Sequence, residues 1–370
     1  MQGILAVRHG LPITGHLARV ITPLPGLDDT SQALELQQSF LIRIIVSNRA
    51  FLDTATFKVT IQSHCIELQS SSRPFKSSAT TLLPRSGTMY EDWFAAMAKD
   101  PDMPTPEEVN VIKEFIDGKM TADAAAKQCT SRISLEETNP DPTLIWSLLE
   151  DLAVEFFETQ DKVVELLTAI KRLPDPIRNG KEHRINSQKT FSDLGYFRAD
   201  FGDYFRGLKF ADPESFHYGS NVPVITSWAR VNAFSARLTT NLVQDLRIYA
   251  LETIADALDE KNLKESRTRE FFLPAAANQI IFASYPLWNL RNDAEAKERM
   301  DAALEWNGWK TAFEGLAENA EVSSETQALL RQAVVAMETV AKDPKRDDWQ
   351  GKLEAYAAQY GASLEAAREP

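Results

Sequence analysis

From Met89 onward the apolar positions recur at helical spacing. Thr105-Pro106-Glu107-Glu108 reads as an N-cap, a proline at the first helical position and the returning glutamate of a capping box. Val109, Ile112 and Ile116 then share one face, and Gly118 offers a left-handed stop. Asp141-Pro142 opens another helix in the same manner, with Ile145, Leu148, Leu149, Leu152 and Phe156 in phase. The phase shifts near Thr159, and a stripe of Val163, Leu166, Leu167 and Ile170 closes before Pro174 and Pro176. Residues 177–222 are predicted to be the one long irregular region, rich in aromatics such as Phe191, Phe197, Phe201 and Phe205. Helical period resumes after Pro223, and its cleanest stripe is Leu242, Leu246, Tyr249, Ala250, Ile254, Ala257 and Leu258. Two more helices are expected near 269–283, marked by Pro274, and near 295–317. Ser324 caps a last one that carries Leu329, Leu330, Val334, Met337 and Val340. No fixed-period repeat is present, which argues against a solenoid. The prediction is an all-α fold: a single multi-helix bundle over residues 89–345, then a charged tail or surface helix at 346–370.

The first 88 residues have a different character. They hold eight basic and five acidic residues, a net of +3, which leaves −16 for the remainder. They are rich in Ser and Thr, and only Phe57–Gln62 alternates like a strand, with Phe40–Val46 as a possible partner. Residues 1–88 are therefore expected to be a non-domain extension, poorly structured or weakly β. Upstream sequence ahead of a true start at Met89 is the preferred origin. An accessory β segment and a transit peptide are the alternatives.

Bulk properties exclude several function classes. A net charge of −13 argues against a nucleic-acid partner, which calls for a basic patch. No apolar run is long enough for a membrane helix, because Phe40–Val46 is interrupted by Arg43. Two cysteines, Cys65 and Cys129, make no disulfide framework, so a reducing, cytoplasmic setting is expected. Those two and five scattered histidines supply no paired ligand spacing, so neither a metal nor another cofactor is expected.

Catalytic motifs fail on inspection. Arg8-His9-Gly10 resembles the strand-ending motif of histidine phosphatases, but Leu11-Pro12 follows where that motif continues polar. Asp347-Asp348 lacks the third aspartate that isoprenoid cyclases need, and Asn292-Asp293 has Ala296 and Met300 where the metal-binding serine and glutamate would sit. His183 lies in a charged run and is read as a solvated loop residue, whereas His217 stands between Phe216 and Tyr218. Trp228 and Asn232 fall four apart on one helix face, with Arg237 a turn further on. Trp306 and Trp309, with Phe313, form a second aromatic stripe, read as structural core.

Three of these stretches carry a family resemblance. Trp228 to Leu238, Ser284-Tyr285-Pro286-Leu287-Trp288, and Trp306-Asn307-Gly308-Trp309-Lys310 resemble the signature segments of a fungal family catalogued as domain of unknown function 3632. The resemblance covers roughly Met89 to Val340. It departs at Ser284-Tyr285, where the family favours glycine, and at Glu305, where it favours arginine. It implies that residues 1–88 lie outside the domain and that the protein has a link to fungal specialised metabolism. It implies no activity.

Together these readings point to a non-catalytic binder of a small apolar ligand or a protein partner. His217, Trp228, Asn232, Arg237 and Trp288 are its expected contacts. The alternative is a cofactor-independent enzyme of the isomerase or cyclase type, relying on pocket shape and a few polar groups.

Overall fold

A computed structural model describes residues 87–135, 142–178, 180–185, 187–216, 222–290, 306–349, 351–352 and 355. The chain divides into two compact units, Met1–Pro74 and Phe75–Pro370, and every described residue lies in the second. The strand expected at Phe57–Gln62, Arg8-His9-Gly10, Asp141, His217, Asn292-Asp293 and Glu305 lie outside the described residues.

The second unit is all-α. Its helices are α1 (Gly87–Met97), α2 (Pro106–Ile116), α3 (Ala122–Cys129), α4 (Ser131–Leu135), α5 (Thr143–Glu155), α6 (Gln160–Lys171) and α7 (Phe197–Lys209). They continue with α8 (Val224–Thr240), α9 (Arg247–Leu258), α10 (Glu260–Lys264), α11 (Ser266–Asn289), α12 (Trp306–Ala317) and α13 (Ser324–Lys342). The extended pairs among the described residues are two antiparallel hairpins of two-residue strands and one isolated bridge between Phe216 and Pro223. β1 (Ile177–Arg178) pairs with β2 (Lys181–Glu182), and β3 (Arg184–Ile185) with β4 (Gln188–Lys189).

The start of α2 forms as its sequence dictates. Glu108 N donates to Thr105 Oγ1 at 3.3 Å, and Thr105 N donates to Glu108 Oε2 at 2.8 Å. Gly118, at φ +76°, supplies the left-handed residue after the helix. The phase shift near Thr159 is a turn of 3-10 helix, Phe157–Thr159, between α5 and α6. Gln160, fully buried at this corner, donates to the carbonyls of Ala153 at 3.0 Å and Arg230 at 2.9 Å.

Three expectations need correction. Residues 177–222 are not irregular throughout, since α7 occupies 197–209. Phe197, Phe201, Phe205 and Leu208 are spaced to fall on one helical face, and all four are buried. Leu242 does not begin a helix: it sits at φ +59° in the turn between α8 and α9. The helix expected at 269–283 runs on to Asn289, with a break at Ala283 (φ −126°, ψ 27°). Pro286 has no N–H to offer the carbonyl four residues back, and Thr240 Oγ1 donates to that carbonyl, Phe282 O, at 2.6 Å.

The interior forms two apolar clusters. The first is built from α1 through α9, with Phe271 and Ala275 contributed by α11. The second joins α9, α11, α12 and α13, with Ala236 from α8. Packing extends past residue 345: Trp349 is buried, under the Arg247 guanidinium at 5.1 Å from its ring.

Candidate functional site

Trp228 and Asn232 lie side by side on the inner face of α8 and are both fully buried. The Trp228 ring stacks on Phe271 at 5.5 Å and packs against Phe205 at 4.7 Å. Asn232 Nδ2 donates to Trp228 O at 2.9 Å, while its Oδ1 accepts from Thr253 Oγ1 at 2.8 Å and Gln279 Nε2 at 2.9 Å. This amide ties α8 to α9 and α11 and has no capacity left for a ligand on its acceptor. Where α7 meets α9, a Cβ on Gly202 would stand 2.6 Å from the Tyr249 hydroxyl, so only glycine permits that approach.

Arg237 stands at the edge of the same helix. Its guanidinium lies 3.5 Å from the centre of the Phe282 ring and 5.0 Å from Phe157. Nε donates to Asp161 Oδ1 and Nη1 to Gln160 Oε1, both at 2.9 Å. Asp161 lines a groove of about 510 Å³ between α3 and α6 that reaches Asn241 at the end of α8. Asp123 and Arg172 pair across this groove at 2.7 Å, and Glu165 and Thr168 complete its polar wall. Asn241 Nδ2 donates to Arg237 O at 2.9 Å, which links the arginine to the groove's end.

Trp288 belongs to a different place. Its ring meets Trp306 edge-on at 5.2 Å, and the Arg346 guanidinium lies 5.3 Å from its centre. Trp306, Trp309 and Phe313 are buried on the inner face of α12. The expected contacts are therefore split: Trp228 and Asn232 touch, Arg237 faces the groove wall, and Trp288 sits in the second cluster.

A group of acids missed at the sequence level lies between α5 and α7. Glu150 is 1% exposed and its Oε1 accepts no hydrogen bond. Burial, then the charges of Asp200 and Asp151, hold its carboxyl well above the usual carboxylate range. Burial likewise pushes Asp151 up to about 7, opposed by a hydrogen bond with Tyr204 and reinforced by Glu155 and Asp200. Ser147 Oγ donates to Asp200 Oδ2 at 3.2 Å. The signal was available: α5 is apolar around most of its circumference, so acids within it are forced inward. Elsewhere, burial pulls Lys171 down to about 7, and its Nζ donates to Val243 O at 2.6 Å. His183 is half-buried, not solvated, because Nδ1 shares a 2.8 Å hydrogen bond with the buried Thr190 hydroxyl. No set of three potential metal ligands occurs among the described residues, and none of their helices is long and apolar enough to cross a membrane.

The family described as Protein of unknown function (DUF3632) matches residues 146–351. The chain belongs to this family. No curated protein and no solved structure matches it. The DUF3632 match begins at Trp146 in α5, later than Met89, and extends past Val340. It contains the buried acids, the Asn232 junction and all the tryptophans of the second cluster. Helices α1 to α4 lie outside it, yet Tyr90, Phe94, Val109, Ile112 and Ile133 complete the first core cluster. In this DUF3632 chain the groove is accordingly made by two parts, α3 before the matched segment and α6 within it.

Proposed function

We propose that the domain is a non-catalytic binding protein that takes a small polar molecule in the groove between α3 and α6. The observation that carries this reading is a separation. The groove is lined by Asp123, Asp161, Glu165 and Arg172, while the acids whose titration is raised, Glu150 and Asp151, lie between α5 and α7. Its paired charges offer both signs to a ligand, and the pairs Asp123–Arg172 and Asp161–Arg237 can reopen at small cost because Asp123 and Asp161 are solvent-exposed. The small apolar ligand expected from the aromatic region 191–234 finds less support, because Phe191, Phe197, Phe201, Phe205, Trp228 and Phe234 are packed to near-zero exposure. Cys129 is buried and free, which suits a cytoplasmic location. The link to fungal specialised metabolism belongs to this reading and directs the choice of ligands to test.

Affinity selection with mass spectrometry tests it, using a metabolite extract and two proteins, wild type and a groove-filling Thr168→Trp variant. A molecule retained by wild type and lost by the variant is expected. Equal retention by both, or none by either, overturns the reading.

A second reading is catalysis by acid–base groups at the α5–α7 acids, favoured by the unpartnered Glu150 carboxyl. It predicts that an extract component is consumed by wild type and spared by Glu150→Gln.

A further inference from the structure

The two small hairpins that follow α6 form a basic stretch on an acidic domain. Residues 177–189 carry Arg178, Lys181, Arg184 and Lys189 against one acid, Glu182, a net of +3, whereas residues 89–370 as a whole carry −16. Strand register puts these groups on defined faces. Ile177 stands opposite Glu182 across β1 and β2, so the two side chains share one face of the first hairpin. Glu182 Oε2 lies 3.0 Å from Lys189 Nζ and 3.9 Å from Arg184 Nη2. Arg184 and Lys189 are themselves register partners across β3 and β4. Ile177, Arg184 and Lys189 are therefore gathered around a single carboxylate.

That face is open. Ile177 is 61% exposed, and Lys181 and Arg184 are exposed as well. An exposed isoleucine alone needs no explanation. This one stands among cations that their neighbours hold weakly. Glu182 takes Lys189 at close range and Arg184 only at the outer limit of an ion pair, and Lys181 makes no ion pair among the described residues. Arg178 serves as the anchor, since its Nη2 donates to Ile133 O of α4 at 2.9 Å. The positive field reaches the adjoining ring, where burial and then the Arg178 charge hold His183 below its ordinary pKa.

A basic, partly apolar face on an otherwise acidic domain complements one kind of partner. We propose that the hairpins of residues 177–189 dock a short acidic segment of a partner protein that also carries an apolar side chain. Its carboxylates take Lys181 and Arg184, competing with Glu182 for the latter, and its apolar side chain covers Ile177. A long polyanion fits worse. Duplex DNA carries a charge every ~1.7 Å and would run from the hairpins onto the acidic remainder of the domain, whereas a short segment ends within them. No residue of 177–189 lines the groove between α3 and α6, so the face stands whether or not the groove binds anything.

Fluorescence anisotropy of the full chain tests it, with a labelled peptide of glutamates flanking one leucine as the probe. Saturation is expected with a Kd on the order of 100 μM at low salt, weakening as salt is raised. The matching peptide with lysines for glutamates should not bind, and serine in place of its leucine should weaken binding several-fold. Arg184→Glu should weaken binding about tenfold or more. Glu182→Gln should tighten it several-fold, because the competing carboxylate is gone, and damage to the fold would not produce that gain. Both side chains are about half exposed, at 51% and 46%, so the variants should melt with wild type. Binding unchanged by Arg184→Glu would place the peptide elsewhere, for instance on the basic residues 1–88, and overturn the proposal. Failure to saturate, or a short DNA duplex bound as tightly as the peptide, would overturn it as well.

Discussion

Thr253 Oγ1 donates a 2.8 Å hydrogen bond to Asn232 Oδ1, and neither side chain is exposed to solvent. Gln279 donates to the same oxygen, so one acceptor serves two donors from two other helices. Asn232→Leu leaves both donors buried and unpaired. At about 1–3 kcal/mol per stranded donor, the variant should lose roughly 2–6 kcal/mol, seen as a lower urea midpoint at unchanged m. A loss below about 1 kcal/mol would show that Thr253 and Gln279 find other acceptors.

The acids between α5 and α7 predict a pH dependence with a definite sign. A carboxyl whose folded pKa is raised binds protons more readily in the native state, so its stabilising effect is full below the unfolded pKa and fades as pH rises. For Asp151 that window runs from 3.8 to about 7, and Glu150, also raised, acts in the same direction. Asp117, where burial is outweighed by Lys113 and Lys119 together so that its carboxyl is lowered, acts in the other direction at lower pH. The clean measurement is therefore a difference. Glu150→Gln should gain melting temperature relative to wild type at pH 8, with the advantage shrinking toward pH 5. An advantage that is flat with pH would mean the Glu150 carboxyl titrates as in the unfolded chain.

Trp309 is 2% exposed and packs on Trp306 within the second cluster. Trp309→Ala should cost on the order of 3–5 kcal/mol, the range for large aromatic deletions in a core. Denaturant titration checks it, and a shift under about 1 kcal/mol at constant m would remove the ring from the load of the core.

Arg237 combines a planar contact with a directed one, its guanidinium over the Phe282 ring and its Nε on Asp161. Lysine keeps the charge but not the plane or the fork. Arg237→Lys should cost about 1–2 kcal/mol. If a molecule is found in the groove, the same variant should weaken its binding, because Asp161 loses the partner that orients it. An unchanged midpoint and unchanged retention would show that charge alone matters at this position.

The helices with strong caps and strict period were legible from sequence. Thr105 with Glu108, and the stripe from Val163 to Ile170, needed no knowledge of their neighbours to be placed. α7 was hidden because Gly202, Gly207 and flanking turn residues diluted its period, and its aromatic face makes sense only against Trp228 and Tyr249. The turn at Leu242 was misread because residues 242–246 continue the apolar phase of α9 across a left-handed residue. Asn232 was recognisable as a buried polar group in need of partners, but Thr253 and Gln279 lie 21 and 47 residues away in sequence. Glu150 was overlooked because an acid in a helix usually faces water, and its nearness to Asp200 arises only once α5 packs on α7.

α11 supplies Phe271 and Ala275 to one apolar cluster and Leu273, Ala276, Ala277, Ile280 and Leu287 to the other. The stretch of α11 ahead of the break at Ala283 thus forms a wall of both interiors, and neither half can melt while the other keeps that stretch intact. Thermal unfolding should therefore be one cooperative transition, and the amides of residues 271–280 should exchange with solvent only through global opening.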